Sequence, residues 1–115
     1  MTFNPEPSSR LFIVIQPDPV VGMDLVEMLE LAFPQSTVVL FEHLEKASVC
    51  IEASQASACI LIDSSLVSDV TSADFERYAA AGARMVVIGV GNGVSFAADV
   101  VNKPFTTEMI LNALI

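Results

Sequence analysis

A continuous apolar run that ends at an acidic residue constrains the fold of this chain more than any other feature. Four apolar residues, Cys59 to Ile62, lead directly into Asp63, and a serine-rich segment that we expect to be a loop follows. Such a run predicts a strand buried on both faces, as in the middle of a parallel sheet. Asp63 then lies at the carboxyl end of the strand, where open α/β sheets place their chemistry. An aspartate after a strand also serves as a loop cap, so the run alone leaves its role open.

Apolar runs and amphipathic segments alternate along the rest of the chain. The runs predict strands, and the connections between them are long enough for right-handed crossovers. We therefore expect an α/β fold, a doubly wound five-stranded parallel sheet with the order 2-1-3-4-5. The predicted strands are Leu11–Ile15, Thr37–Phe41, the central run, Arg84–Val90 and Asp99–Asn102, and the predicted helices are Pro19–Ala32, His43–Ser54, Ser72–Ala81 and Thr106–Leu114.

Local signals predict several helix ends. Asp18 is a good N-cap for the first helix, and Pro19 suits its first position. Thr71 and Asp74 have the spacing of a capping box, and Gly82 suits the end of the third helix. The expected buried positions are Val21, Leu25, Met28 and Ala32 in the first helix, Leu44, Ala47 and Ile51 in the second, and Cys59 in the central strand.

Composition narrows the classes of function. Five basic against fourteen acidic residues give a net charge of −9, which argues against nucleic-acid or membrane binding and favours a protein partner. No apolar run approaches the roughly 18 residues of a membrane span, so we expect a cytoplasmic protein. Cys50 and Cys59 lack CxxC spacing and are expected to be free thiols. Residues 1–9 are expected to form a flexible leader, and residues 10–115 one domain.

Three features together resemble the receiver domain of bacterial two-component response regulators. They are the strand that ends in Asp63, a first strand that runs into Asp18-Pro19, and a fifth strand that leads into Lys103-Pro104-Phe105. The last of these is the most specific. The resemblance covers the chain from Arg10 onward and implies a flavodoxin-like sheet. It also implies that Asp63 is the phosphoacceptor and that Lys103 contacts the phosphoryl group.

The chain departs from this family where the family holds Mg²⁺. An acidic pair after the first strand helps to hold the ion in the family, and the corresponding positions here are Gln16 and Pro17. Neither residue offers a carboxylate to a hard cation. Asp18 is the next acid, so a metal site would rest on Asp63 and Asp18, although Asp18 is better explained as the helix N-cap.

The chain also departs from the family after the fourth strand. In the family, a Ser or Thr at the end of the fourth strand binds a phosphoryl oxygen, and an aromatic residue on the fifth strand changes position when it does. The corresponding positions here are Gly89 and Val100. Only 14 positions separate Gly89 from Lys103, about two helical turns fewer than is usual, so we expect the fourth helix to be shortened or missing. The loop Gly89–Gly93 then lets the chain turn tightly. It also suggests an alternative from another class, a small flavodoxin-like enzyme or nucleotide-binding domain, although its GxGxG spacing does not favour that function.

We therefore expect a degenerate, stand-alone receiver-like domain in phosphorelay signalling, a protein-interaction module with weak or no phosphoacceptor activity at Asp63. It is not expected to be an enzyme or to need a cofactor, and Mg²⁺ is implied only if phosphorylation occurs. Because the chain stops at Ile115, the expected partner is a histidine kinase, a phosphotransfer protein or another regulator, and the apolar composition is compatible with a homodimer. A working phosphoacceptor with an unconventional metal site is the alternative within the family. With Asp63 unphosphorylated, we expect Lys103 to pair with it constitutively and a single conformation to result. The structural alternative is that Asp63 and Lys103 are only an ion pair at the strand ends, without a regulatory role.

Overall fold

The structure is a computed structural model that describes residues 11–53, 58–80, 82–89, 99–101 and 106–114. Its strands lie parallel in one sheet with the order β2-β1-β3-β4-β5. The α/β class and the order 2-1-3-4 of the four longer strands are confirmed, and the short β5 pairs with β4. The strands are β1 (Leu11–Ile15), β2 (Thr37–Phe41), β3 (Ala58–Asp63), β4 (Arg84–Ile88) and β5 (Asp99–Val101).

Helices connect these strands, and their observed bounds agree with the prediction to within a residue or so. One difference is the serine-rich segment after β3, which we predicted as a loop and which forms a 3-10 helix, Ser64–Asp69. Its first turn is stabilised by Asp63, whose side chain accepts a hydrogen bond from the backbone N–H of Ser65. The α-helices are α1 (Pro19–Ala32), α2 (Leu44–Ala53), α3 (Ser72–Ala80) and α4 (Thr107–Leu114).

The sheet is buried on both faces because successive strand residues point to opposite sides. One face packs against α1 and α4, and the other packs against α2, α3 and the 3-10 helix. Cys59 is partly buried and packs against the core on the side of α1 and α4, so the prediction that it belongs to the core is only partly right. The fully or nearly buried apolar strand residues are Phe12, Val14, Leu61, Val86 and Ile88 on the α1 side, and Ile13, Ile15, Ala58, Ile60, Ile62, Met85 and Val87 on the other.

The N-terminus of α1 forms as predicted, but its buried face differs. Asp18 is the N-cap, and Pro19 is the first helical residue. The fully buried residues of α1 are Gly22, Leu25 and Leu29. Val21 and Met28, which we expected to be buried, are partly buried against the same cluster, whereas Ala32 is exposed. The helix is rotated so that Gly22 lies directly against the Leu40 side chain of β2, a close approach that a larger residue would hinder. Periodicity alone predicted the helix correctly but placed its buried stripe too far to one side.

The capping box of α3 is confirmed. Thr71 accepts a hydrogen bond from the Asp74 backbone N–H, and the Asp74 carboxylate accepts one from the Thr71 backbone N–H. The chain leaves α3 through Gly82, whose φ of 87° lies in the left-handed region. Hydrogen bonds from Thr71 lower the pKa of Asp74, and the nearby Arg77 adds to this effect. In α2, the predicted inward residues Leu44, Ala47 and Ile51 are buried. His43, which we predicted as the first residue of this helix, lies just before it and is exposed.

Several predictions concern residues outside the described ranges. They are the leader, the residues Val90 and Asn102 of the predicted fourth and fifth strands, and the shortened fourth helix. Gly89 is described and lies outside β4, which ends at Ile88, so the fourth strand is shorter than predicted. Within the described ranges, α1 is the longest helix at 14 residues, and no helix there could span a bilayer.

The lowered pKa of Asp74 makes its stabilising effect depend on pH. A carboxyl whose pKa is lower in the folded state than in the unfolded state stabilises the fold above its unfolded-state pKa, here 3.8. That stabilisation is lost as the pH falls through the folded-state pKa. We expect Asp74→Asn to reduce the free energy of unfolding by about 1 kcal/mol or less at pH 7. The difference from the wild type should shrink towards zero below pH 3.8, as measured by urea denaturation, and a difference that stays constant with pH would contradict this account.

Candidate functional site

The candidate site lies at the carboxyl ends of β1 and β3, which are neighbours in the sheet. Gln16 follows β1 directly, and Asp63 is the last residue of β3. Gln16 is 2% exposed and Asp63 is 4% exposed, and they are the buried polar side chains of the described part of the chain. The strand order therefore brings together two residues that lie 47 positions apart in the sequence.

Both carboxylate oxygens of Asp63 accept hydrogen bonds from nearby groups. The Gln16 side-chain amide donates to Oδ1, with 3.0 Å between Nε2 and the oxygen. Ser65 donates twice to Oδ2, through its backbone N–H at 3.0 Å and through its hydroxyl at 2.5 Å. Since a buried carboxylate is costly without hydrogen-bond donors, these contacts both stabilise the side chain and fix its orientation.

The orientation of the Gln16 side chain follows from its second contact. Its Oε1 accepts a hydrogen bond of 3.1 Å from the backbone N–H of Asp18. A backbone N–H can only donate, so the amide oxygen must face Asp18, and the NH₂ group must face Asp63. The backbone N–H of Gln16 is held at 2.9 Å by the carbonyl of Phe41 at the end of β2. Gln16 is thus fixed through both its backbone and its side chain.

The geometry at this edge does not suit the Mg²⁺ site of an ordinary receiver. An N–H donor of Gln16 points at Asp63 Oδ1, and Pro17 adds no oxygen-bearing side chain, whereas Mg²⁺ requires oxygen ligands. Asp18 Oδ1 accepts hydrogen bonds from the backbone N–H groups of Val20 and Val21, as predicted for the N-cap. The described residues include no group of three or more His, Cys, Asp or Glu side chains that could hold a metal ion. A metal site built on Asp63 and Asp18 stays a prediction.

The space that a side chain at residue 89 would need is occupied by Ser64. Gly89 has φ +129°, and a Cβ added there would lie 2.3 Å from Ser64 Oγ and 2.9 Å from Ser64 Cβ. Residues with a side chain rarely adopt this φ, and the first residue of the 3-10 helix occupies the space that such a side chain would need. A hydroxyl side chain at residue 89 would therefore not fit next to Ser64 in this structure.

The remaining predicted site residues are described only in part. Lys103 and the loop from Val90 to Gly93 lie outside the described residues, so their proposed contacts stay predictions. The backbone of Val100 pairs with Val87 in the sheet, and its side chain is not described.

Sequence reasoning identified Asp63 and the departure at Gln16, but it missed the contacts between them. It treated Gln16 only as a lost carboxylate, although a polar side chain at the end of the neighbouring strand was a signal that it meets Asp63. It gave Ser65 no role, although an aspartate followed two residues later by serine is typical of a side-chain cap. Nothing in the sequence pattern indicated the contact between Ser64 and Gly89.

Alanine substitution of two glycines separates the effects of φ and packing. We expect Gly89→Ala to lower the free energy of unfolding by about 2–3 kcal/mol, because it combines an unfavourable φ with a clash against Ser64. Gly22→Ala is the matched control: its Cβ would meet only the end of the half-exposed Leu40 side chain, at 2.9 Å. Higher helix propensity should offset that contact, for a net change within about 1 kcal/mol.

Chemical denaturation of both variants measures the difference. Adding Ser64→Gly to Gly89→Ala should restore part of the stability, since it removes the clash but not the strained φ. Equal effects of the two alanine substitutions would contradict the packing described around Gly89.

Comparison of the chain with protein-family models, with curated proteins and with solved structures gave no match.

Proposed function

We propose that this chain is a degenerate receiver-like domain of bacterial two-component signalling that acts as a protein-interaction module. In this proposal Asp63 is phosphorylated poorly or not at all under conditions that suffice for an ordinary receiver. The observation that carries the proposal is the hydrogen bond from Gln16, at a position where the family has a metal-binding acid, to the carboxylate that would be the nucleophile.

The chemistry of phosphoryl transfer explains why this contact matters. An aspartate that attacks phosphorus needs a free oxygen lone pair in line with the leaving group, and it needs positive charge near the phosphoryl oxygens. A divalent cation is usually the largest charge in such a site and orients both reactants. Gln16 contributes no charge, and its NH₂ group occupies the side of Asp63 Oδ1 that faces β1.

The second oxygen of Asp63 is committed to the protein as well. Oδ2 caps the 3-10 helix and accepts the Ser65 hydroxyl. An attack through this oxygen would cost the first turn of that helix its cap. Attack through Oδ2 would therefore cost the Ser65 hydrogen bonds, and attack through Oδ1 would use the lone pair beside the one that the Gln16 amide already engages.

A module of this kind would act through a protein that recognises its surface in one fixed conformation. The net charge of −9 favours a protein partner over nucleic acid. Within the proposed signalling role, the partner is a histidine kinase, a phosphotransfer protein or another regulator.

Intact-mass analysis after incubation with acetyl phosphate and Mg²⁺ tests the proposal. We expect no added phosphate on the wild type while an ordinary receiver is labelled in the same buffer. A one-phosphate mass increase that disappears in Asp63→Asn would contradict the proposal and favour a working phosphoacceptor with an unconventional metal site.

A matched variant tests whether Gln16 is responsible. Gln16→Glu exchanges the amide for a carboxylate of the same length next to Asp63 and removes the N–H donors. If the missing carboxylate limits the reaction, Gln16→Glu should be labelled at least several-fold more than the wild type, and only with Mg²⁺ present. Equal labelling of the two proteins would show that Gln16 does not set the reactivity of Asp63.

A further inference from the structure

Three consecutive hydrogen bonds connect the buried Asp63 to the first turn of α1. Gln16 Nε2 donates to Asp63 Oδ1 at 3.0 Å, and Gln16 Oε1 accepts from the Asp18 backbone N–H at 3.1 Å. Asp18 Oδ1 in turn accepts from the Val20 backbone N–H at 2.9 Å. One side chain, that of Gln16, therefore joins the end of β3 to the start of α1.

The central link of this path has only one favourable arrangement. Rotating the Gln16 amide by half a turn would place its NH₂ group against the Asp18 N–H and its oxygen against the Asp63 carboxylate. Both hydrogen bonds would be replaced by repulsive contacts in a site that is almost closed to water. The amide is therefore sensitive to what its two partners present to it.

The two ends of the path differ in exposure. Asp63 is 4% exposed, whereas Val20, in the first turn of α1, is 68% exposed. Asp18, which caps that turn, is also exposed. A change at the buried carboxylate can thus reach the surface through Gln16 without a rearrangement of the sheet.

We propose that Gln16 is a positioning residue that couples the chemical state of the Asp63 side chain to the N-terminal turn of α1. With Asp63 as an acceptor, the Gln16 oxygen holds the Asp18 N–H and keeps the N-cap in place. A change in the acceptor strength of Asp63 shifts the amide and alters the hydrogen bonding of Asp18. This inference goes beyond the proposed function, because it concerns how the Asp63 side chain is connected to the surface of α1 and does not require Asp63 to be phosphorylated.

Backbone amide chemical shifts test the coupling in a design with two backgrounds. Asp63→Asn replaces the carboxylate by an amide of nearly the same shape and weakens the acceptor. We expect the amide signals of Asp18, Val20 and Val21 to move in Asp63→Asn relative to the wild type. In a Gln16→Met background, where the side chain has similar length but no amide, the same substitution should move these signals at least threefold less.

The controls distinguish coupling from a general disturbance. Signals of α3, on the opposite face of the sheet, serve as the internal reference and should not depend on Gln16. If Gln16→Met does not fold, Gln16→Asn replaces it, because its shorter side chain cannot bridge the two partners. Equal shifts with and without the Gln16 amide, or no shift in Asp63→Asn, would overturn the inference. The experiment uses neither a phosphodonor nor a partner, so its failure is separate from a failure of the proposed function.

Discussion

The hydrogen bond between the Gln16 amide and the Asp63 carboxylate is the contact on which the candidate site depends. A carboxylate that is almost fully buried is stable only when donors surround it, because burial removes its hydration. Gln16 and Ser65 supply these donors from two different directions. Among the described residues, Gln16 and Ser65 thus fix the orientation of the Asp63 carboxylate through neutral hydrogen-bond donors.

The fold provides the positions for this contact. β1 and β3 pair in parallel, with Ile15 next to Ile62, so their following residues Gln16 and Asp63 lie at the same edge. Asp63 also pairs with Ile88 of β4 in the sheet register, and Gly89 follows at the same edge. At this edge Ser64 occupies the space that a side chain at residue 89 would need. The strand order 2-1-3-4 thus brings Gln16, Asp63 and Gly89 to one edge of the sheet.

The sequence was sufficient for those features that depend on local patterns. Apolar runs predicted the strands, the spacing of Thr71 and Asp74 predicted the capping box, and Asp18 was recognised as an N-cap. The buried face of α1 was placed too far to one side, because it depends on contacts with residues distant in the sequence, such as Leu40 beside Gly22. The contact from Gln16 to Asp63 was also missed. It depends on the pairing of distant strands and on the orientation of one amide, and neither leaves a periodic signal.

The most direct test of the account follows the Gln16 side-chain NH₂ signals by nuclear magnetic resonance during titration with Mg²⁺ and beryllofluoride, a mimic of the phosphoryl group. The account predicts that these signals keep their positions, because the amide stays bound to Asp63 and the mimic does not displace it. A saturable shift of the Gln16 signals that is absent in Asp63→Asn would contradict the account. It would show that Asp63 exchanges its protein donors for a metal ion and a phosphoryl group.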